Sequence, residues 1–318
     1  MADVLTDVLE TVRVKAACHG RFELGAPWGV HLPESDGAQF HVVLEGGCHL
    51  TVVATGEELT LERGDLVALP HGHEHIVRDR VGTEPRPFSA LMADCKCSGQ
   101  TYRSNEGEAR STLLSGCIKF EERRHNPLLL ALPSVVTLRG GNGRTVAWLE
   151  TTLQFMGCEA ASQRPGSATV VSRLADVLFI QIVRGHLAEL SPSQTGWLAA
   201  LNDLQIGAAL ALVHADPQAS WTVASLAAKV AMSRSAFAAR FVQLVGEPPL
   251  QYVTRWRMQK ASGILRDGHA SLAEVAARVG YESEAAFSKA FKRAVGSTPG
   301  AYRRSFREPG RFDAVQAA

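Results

Sequence analysis

The chain has no long apolar run. An uninterrupted stretch such as residues 128–132 stops at Pro133, far short of the roughly 18 residues that a membrane helix needs. The N-terminus, MADVLTD, lacks the basic leader and apolar core of a secretory signal, so a cytoplasmic protein with no membrane partner is expected. Neither sign of charge is in excess: 33 Lys and Arg face 32 Asp and Glu, for a net charge of +1. Cysteine is scarce and scattered, six residues in 318, which excludes the disulfide framework of small secreted domains. Those six are read instead as thiols, metal ligands or redox groups. A hydrophobic fraction of 46% excludes global disorder, and the length calls for two domains.

The near-zero net charge hides an asymmetry. Residues 201–318 hold 15 basic and 9 acidic residues, whereas residues 1–200 hold 18 and 23. A basic C-terminal third behind a mildly acidic remainder points to an anionic partner, with nucleic acid the first candidate.

From about residue 20 to 80 the sequence alternates short apolar stretches with turn signals. Residues 40–44, 48–53, 59–61 and 66–69 read as strands, broken at Gly46-Gly47, Gly56, Gly64 and Pro70. Short strands with Gly-rich turns predict an antiparallel sandwich or small barrel. Residues 93–111 are polar and read as an exposed loop before a further strand at 112–120. Beyond residue 124 the period becomes helical, with helices expected at 126–132, 144–155 and 168–190. The last carries more apolar surface than one face requires, making it a candidate dimer helix. Residues 191–196 are a linker.

After the linker one pattern occurs twice, at 221–241 and 270–291. Each copy has a short helix with a small residue (Ala227, Ala276), a tight turn, a Ser N-cap (Ser233, Ser283) and a Phe pair at i,i+4 spacing. Ser271 with Glu274 forms a capping box, and Gly280 suits the turn. With Phe237/Phe241 and Phe287/Phe291 facing the core, Arg234, Ser235, Ala238 and Ala239 face outward on one helix. Glu284, Ala285, Ser288 and Lys289 do so on the other. Residues in the first turns of such a helix read base edges in double-stranded DNA. Arg234 suits guanine, Glu284 suits cytosine N4, and the alanines offer apolar contact. Arg240, Lys292 and Arg293 suit phosphates. One such unit is often an ordinary bundle with solvated charges; two copies with the same cap, turn and Phe pair argue against that.

Residues 200–305 resemble the DNA-binding domain of the AraC/XylS family of transcription regulators. The resemblance is carried by VGYESEAAFSKAFKR at 279–293, GSTPGAYRR at 296–304 and PPLQYVTRWRM at 248–258. It implies two recognition helices entering major-groove segments about one DNA turn apart, a homodimer and, for an activator, contact with RNA polymerase.

The N-terminal section resembles a cupin. GDLVALPHGHEHIVRD at 64–79 follows the second cupin motif, and QFHVVLE at 39–45 looks like a degraded first motif with Gln in place of its first His. A metal site would draw on His41, Glu45 and His75, with Gln39 a poor fourth ligand, and would suit zinc, nickel or iron. His71, His73 and His75 alternate and would share a face on an extended strand. Otherwise His41 and His75 are hydrogen-bonded residues of an effector pocket. A metal-dependent cupin enzyme is the remaining alternative, and no catalytic residues are assigned.

The cysteines carry another signal. Cys95 and Cys97 flank Lys96, which favours thiolate, and a second thiol can resolve an oxidised one as a disulfide. A C-x-C pair rarely bridges itself, so Cys18, Cys48 or Cys117 is the expected partner. The layout is similar to cupin-type AraC regulators that respond to reactive chlorine through cysteines, where a cysteine precedes the first strands much as Cys18 does. The family's cysteine-bearing segment reads TLLSGC at 112–117, with Ser115 in the Cys position and Cys117 two residues later. The other sequence reading makes Cys48, Cys117 and Cys158 small apolar fillers.

The expected architecture is therefore α+β. It comprises a β cupin sensor at 1–123, a helical linker and dimerisation segment at 124–198, and an all-α double helix-turn-helix domain at 199–318. Oxidant sensing through thiols is the first expectation for the sensor, with a small molecule or metal in the pocket as the alternative.

Overall fold

In the computed structural model the alternating stretches become strands whose inward residues fill one core. The structure describes residues 3–10, 12, 14–98, 101–104, 110–120, 127–140, 151–152, 154–156, 158–159, 164–190, 196–268 and 270–307. It divides into two compact units. One holds Arg13–Glu122 and Leu132–Glu189; the other holds Met1–Val12, Arg123–Ala131 and Leu190–Ala318.

The first unit contains β1 (Val14–Gly25), β2 (Gly29–Leu32), β3 (Ala38–Glu45), β4 (Gly47–Val52), β5 (Glu58–Glu62), β6 (Leu66–Leu69) and β7 (His75–Arg78). It continues with β8 (Arg86–Pro87), β9 (Lys96–Ser98), β10 (Thr101–Arg103), β11 (Arg110–Phe120) and β12 (Val136–Leu138). They form a seven-stranded sheet, β12-β6-β3-β11-β1-β10-β9, and a five-stranded sheet, β5-β4-β7-β2-β8. On β4, Cys48, Leu50 and Val52 are buried while the residues between them are not, the signature of a sheet with one solvated face. These three join Val43, Leu61, Val67, Leu69 and Val77 in the core between the sheets.

On β3, by contrast, seven of eight residues are buried. The helix Ser167–Glu189 explains this by covering the outer face, where Phe120 and Phe179 meet edge to face at 4.9 Å. The stretch expected as a dimer helix thus spends Val171, Ala175, Leu178, Phe179, Ile182 and Val183 on its own barrel, and Val177 stays exposed. The helix expected at 144–155 falls largely outside the described residues; 151–152 and 154–156 are helical.

The 93–111 expectation is corrected. The helix Phe88–Asp94 is followed by β9 and β10, which extend the large sheet past β1, with Tyr102 opposite Cys97. These three-residue strands are polar and too short to alternate visibly, and the edge of β1 that recruits them is remote in sequence. The sequence reading also misses most of β1, twelve residues paired along β11.

Helices are numbered in chain order: α1 (Val4–Leu9), α2 (Phe88–Asp94), α3 (Pro127–Ala131), α4 (Ser167–Glu189), α5 (Trp197–Ala200), α6 (Leu204–Ala215) and α7 (Val223–Lys229). They continue as α8 (Arg234–Val245), α9 (Pro249–Asp267), α10 (Leu272–Arg278), α11 (Glu284–Val295) and α12 (Pro299–Arg307). The two units are discontinuous in sequence, whereas the sequence reading drew continuous domains with boundaries at 123 and 198. Helix α1, capped by Asp3 accepting from the Leu5 and Thr6 amides, buries Val4 and Val8 and belongs with the helical unit, where α6 adjoins it. Residues 132–189 belong with the barrel because α4 and β12 complete it.

Candidate DNA interface and sensor cavity

The two helix-turn-helix copies are built alike. Helix α7 starts with a reciprocal capping box between Thr222 and Ser225, and α10 with one between Ser271 and Glu274. The second helices, α8 and α11, are capped by Ser233 and Ser283 accepting from the Ala236 and Ala286 amides. They end at Gly246 and Gly296 in the left-handed conformation. Phe237/Phe241 and Phe287/Phe291 are buried in both copies, with ring centroids 5.6 Å apart and planes at 54°. The turns differ in one respect. Gly280 takes φ +75° where Ala231, the one described non-Gly residue with positive φ, takes +55°.

With the phenylalanines inward, Arg234, Ser235 and Ala239 are exposed on α8, and Ala238 is half-buried. On α11 Glu284, Ala285 and Lys289 are exposed and Ser288 is half-buried, while Lys292 and Arg293 are exposed one turn on. Arg240 is held differently from the expectation of a phosphate contact. Its guanidinium donates twice to Asp203 Oδ2, at 3.1 and 2.5 Å, and that carboxylate also caps α6. Sequence reasoning missed Arg257 on α9. Its guanidinium donates to the carbonyls of Pro217 (2.7 Å), Ala219 (2.9 Å) and Gly280 (3.4 Å), tying the approach to α7 to the turn before α11.

In the barrel, His41 and His75 meet between the two sheets. His75 Nδ1 donates to the His73 carbonyl at 2.7 Å, so in the neutral ring Nε2 accepts. It accepts from His41 Nε2–H at 2.8 Å, and His41 Nδ1 in turn accepts the Ser115 hydroxyl proton at 2.8 Å. Burial, with His75 adjoining, holds His41 well below the usual imidazole range. Burial likewise lowers His75 to about 4, against the opposing pull of the His73 carbonyl. Both rings are neutral at physiological pH.

The alternating histidines do not share a face. Gly72, at φ +67°, closes a turn by donating its amide to the Leu69 carbonyl, so only His75 enters β7, while His71 Nε2 donates to the Leu132 carbonyl. Glu45 is exposed at the end of β3, where it accepts from Thr112 Oγ1. Among the described residues no three His, Cys, Asp or Glu side chains are grouped to hold a metal. Both nitrogens of each buried imidazole are already engaged, so the residues named for a metal do not fit one.

Beside the histidine pair lies a cavity of about 370 Å³. Phe22, Leu32, Phe88, Met92 and Tyr102 supply its apolar wall; Glu34, Gln39, His41, Ser115 and Cys117 supply polar groups. The Phe22 and Tyr102 rings stack at 5.0 Å, so β10 contributes directly to the wall. The volume and the mix of apolar wall with a few convergent polar groups are those of a small-molecule site.

The cysteines are dispersed. Cys95 caps α2 and packs on the barrel core, and Cys97 lies in β9 rather than in a loop. Cys48 is buried, and burial pushes its thiol up to about 12, which removes it from thiolate chemistry. Cys158 is exposed. The β1–β11 register sets Cys18 directly opposite Cys117, whose Sγ is 3.7 Å from Ser35 Oγ at the cavity wall.

A β domain of two packed sheets joined to two capped helix-turn-helix units defines a helix-turn-helix DNA-binding regulator. Comparison with known proteins agrees. Residues 3–188 match the family described as Cupin, and residues 226–305 match the one described as Helix-turn-helix domain. A putative AraC-like transcription regulator of Streptomyces lividans is 34% identical over 311 residues, covering 95% of this chain and 98% of its own. The HTH-type transcriptional regulator AlkR of Acinetobacter baylyi is 32% identical over 311 residues, covering 95% and 99%. The solved DNA-binding domain of AdpA, in complex with a target DNA, is 34% identical with a TM-score of 0.32, covering 34% of this chain and 98% of its own. The chain belongs to the AraC family of transcription regulators with an N-terminal cupin domain. It is a DNA-binding regulator and not an enzyme. No described helix is long and apolar enough to cross a membrane.

Proposed function

We propose that this regulator responds to a small, largely apolar effector held in the cupin cavity, and that α8 and α11 read its operator. The cavity carries this reading: an apolar wall enclosing about 370 Å³ next to a satisfied His41–His75–Ser115 chain is a place for a ligand rather than for catalysis. The effector shifts the balance of DNA-binding arrangements only so far as it binds one better than the other.

Two measurements test the two halves. Arg234→Ala and Lys289→Ala should each weaken binding to the protein's own upstream DNA by about 10-fold or more at fixed salt. Unchanged affinity in both would remove α8 and α11 from the interface. Met92→Trp places a larger side chain in the cavity wall, so it should abolish calorimetric binding of lipophilic small molecules. Binding retained at wild-type strength would place the ligand elsewhere.

One observation favours a second reading, thiol sensing. Directly opposed residues of an antiparallel pair fall within the Cα separation that a disulfide spans, and Cys18 and Cys117 are so opposed. Two thiols there would give up two protons and two electrons to a hypochlorite-class oxidant, which leaves as chloride and water. Thiol counts before and after stoichiometric hypochlorite should fall by two, and Cys18→Ser should prevent that pairing. A DNA affinity that ignores the oxidation would make the cysteines bystanders.

A further inference from the structure

Building on the cavity reading, we infer that the effector is an apolar body carrying a hydrogen-bond donor, an alcohol or an amine, and that carboxylates of the same shape are rejected. The direction of the hydrogen bonds supports this. The His73 carbonyl can only accept, so it fixes His75 Nδ1 as a donor. Every proton in the chain is then committed in one direction, from Ser115 through His41 and His75 to His73. Ser115 has given its only proton to His41, and what it offers the cavity is lone pairs. Gln39 adds a further acceptor: one Nε2 proton goes to the Pro33 carbonyl at 3.3 Å, and its amide oxygen can accept.

The charge distribution agrees. Among the described residues lining the cavity there is no Lys or Arg, and the one formal charge is the carboxylate of Glu34 at the exposed rim. The two imidazoles are neutral through burial and supply no counter-charge. A carboxylate ligand would bring its charge against a largely apolar wall that holds no cation, losing hydration without gaining a counter-charge. An alcohol or ammonium gives its proton to Ser115 Oγ, and an ammonium also gains from Glu34. A hydrocarbon with no donor would cover that acceptor and leave it unpaired, which is the way a polar site discriminates.

The test is calorimetric titration of the full chain with 1-octanol, octylamine and octanoate at neutral pH, which hold the chain constant and vary the head. The alcohol and the amine should bind about 10-fold or more tightly than the carboxylate. Ser115→Ala should erase most of that preference. Glu34→Gln, a change at the exposed rim that keeps the fold, should weaken the amine by about 3-fold and leave the alcohol unchanged. Three outcomes would count against the inference, and they separate it from the cavity reading. If all three probes bind wild type equally and Met92→Trp loses all of them, the cavity reading stands and the donor inference falls. Tightest binding by octanoate also overturns the donor inference alone. Binding of none of the probes overturns both.

Discussion

Arg257 is the residue whose removal should most clearly separate architecture from DNA contact. It sits on α9, between the two helix-turn-helix copies, and its guanidinium reaches carbonyls on both sides. The Nε–Pro217 and Nη2–Ala219 bonds, at 2.7 and 2.9 Å, are full charge-assisted hydrogen bonds; the Gly280 bond at 3.4 Å is marginal. Each of the two good bonds is worth about 1.5–3 kcal/mol, and the low end applies because the site is half-buried and water can replace the donor. Arg257→Met keeps the aliphatic stem and should therefore cost about 3 kcal/mol. A urea titration followed by tryptophan fluorescence reads this directly, since Trp197, Trp221 and Trp256 all lie in the helical unit. Loosening the tie between the copies should also weaken operator binding several-fold, because both recognition helices must be ordered together. The slope of affinity against salt should not change, because Arg257 is spent on carbonyls and touches no phosphate. A cost under about 0.5 kcal/mol would refute the bonding account. A slope reduced by about one charge would refute the architectural role and make Arg257 a phosphate contact.

Further expectations follow from backbone and burial. Ala231 holds φ +55° where its counterpart is a glycine, so Ala231→Gly should raise the stability of the helical unit by about 0.5–1 kcal/mol in the same titration; a loss would show that the turn is not strained. Gly72→Ala should do the reverse in the barrel, because a Cβ there would sit 2.1 Å from the Ser35 carbonyl oxygen and 2.5 Å from that of Gly37 at φ +67°. The expected cost is about 2 kcal/mol or more, seen as a lowered barrel melting transition, and a wild-type transition would contradict the close approach. His214 is buried against Trp256, with ring centroids 3.8 Å apart, and burial lowers its pKa to about 3. The folded pKa lies below the unfolded value of about 6.5, so the unfolded chain binds the extra proton. Stability is thus whole above pH 6.5 and is lost as pH falls toward 3, by about 2 kcal/mol at pH 5. The Asp7 carboxylate 3.6 Å from Nδ1 opposes part of this loss. Urea midpoints at pH 8 and 5 should differ more for wild type than for His214→Phe; equal differences would assign the acid sensitivity elsewhere.

The DNA-reading half was legible because its signals are local. A Ser cap, a phenylalanine pair four residues apart and a left-handed turn residue each lie within one helix or one turn, and the tool that reads them is the helical period itself. The barrel cavity was legible only in fragments, because its parts come from strands far apart in sequence. His41 and His75 were recognisable by motif, yet what defines them is Ser115, 74 residues beyond His41, which the sequence marks only as a departure from a cysteine. The turn at Gly72 shows the same limit from the other side. Alternation of His71, His73 and His75 implies a shared face only on extended backbone, and a positive φ between the first two removes that premise. Tyr102 is the sharpest case. Its surroundings read as polar loop, and only pairing of β10 with β1, through Arg21 and Thr101, turns it toward Phe22 and into the cavity wall. A side chain of the cavity wall can thus come from a segment that looks like a surface connection, because short edge strands borrow their structure from the sheet that they join. By that reasoning Tyr102→Ala should disturb effector binding while leaving the affinity of the unliganded protein for its operator intact.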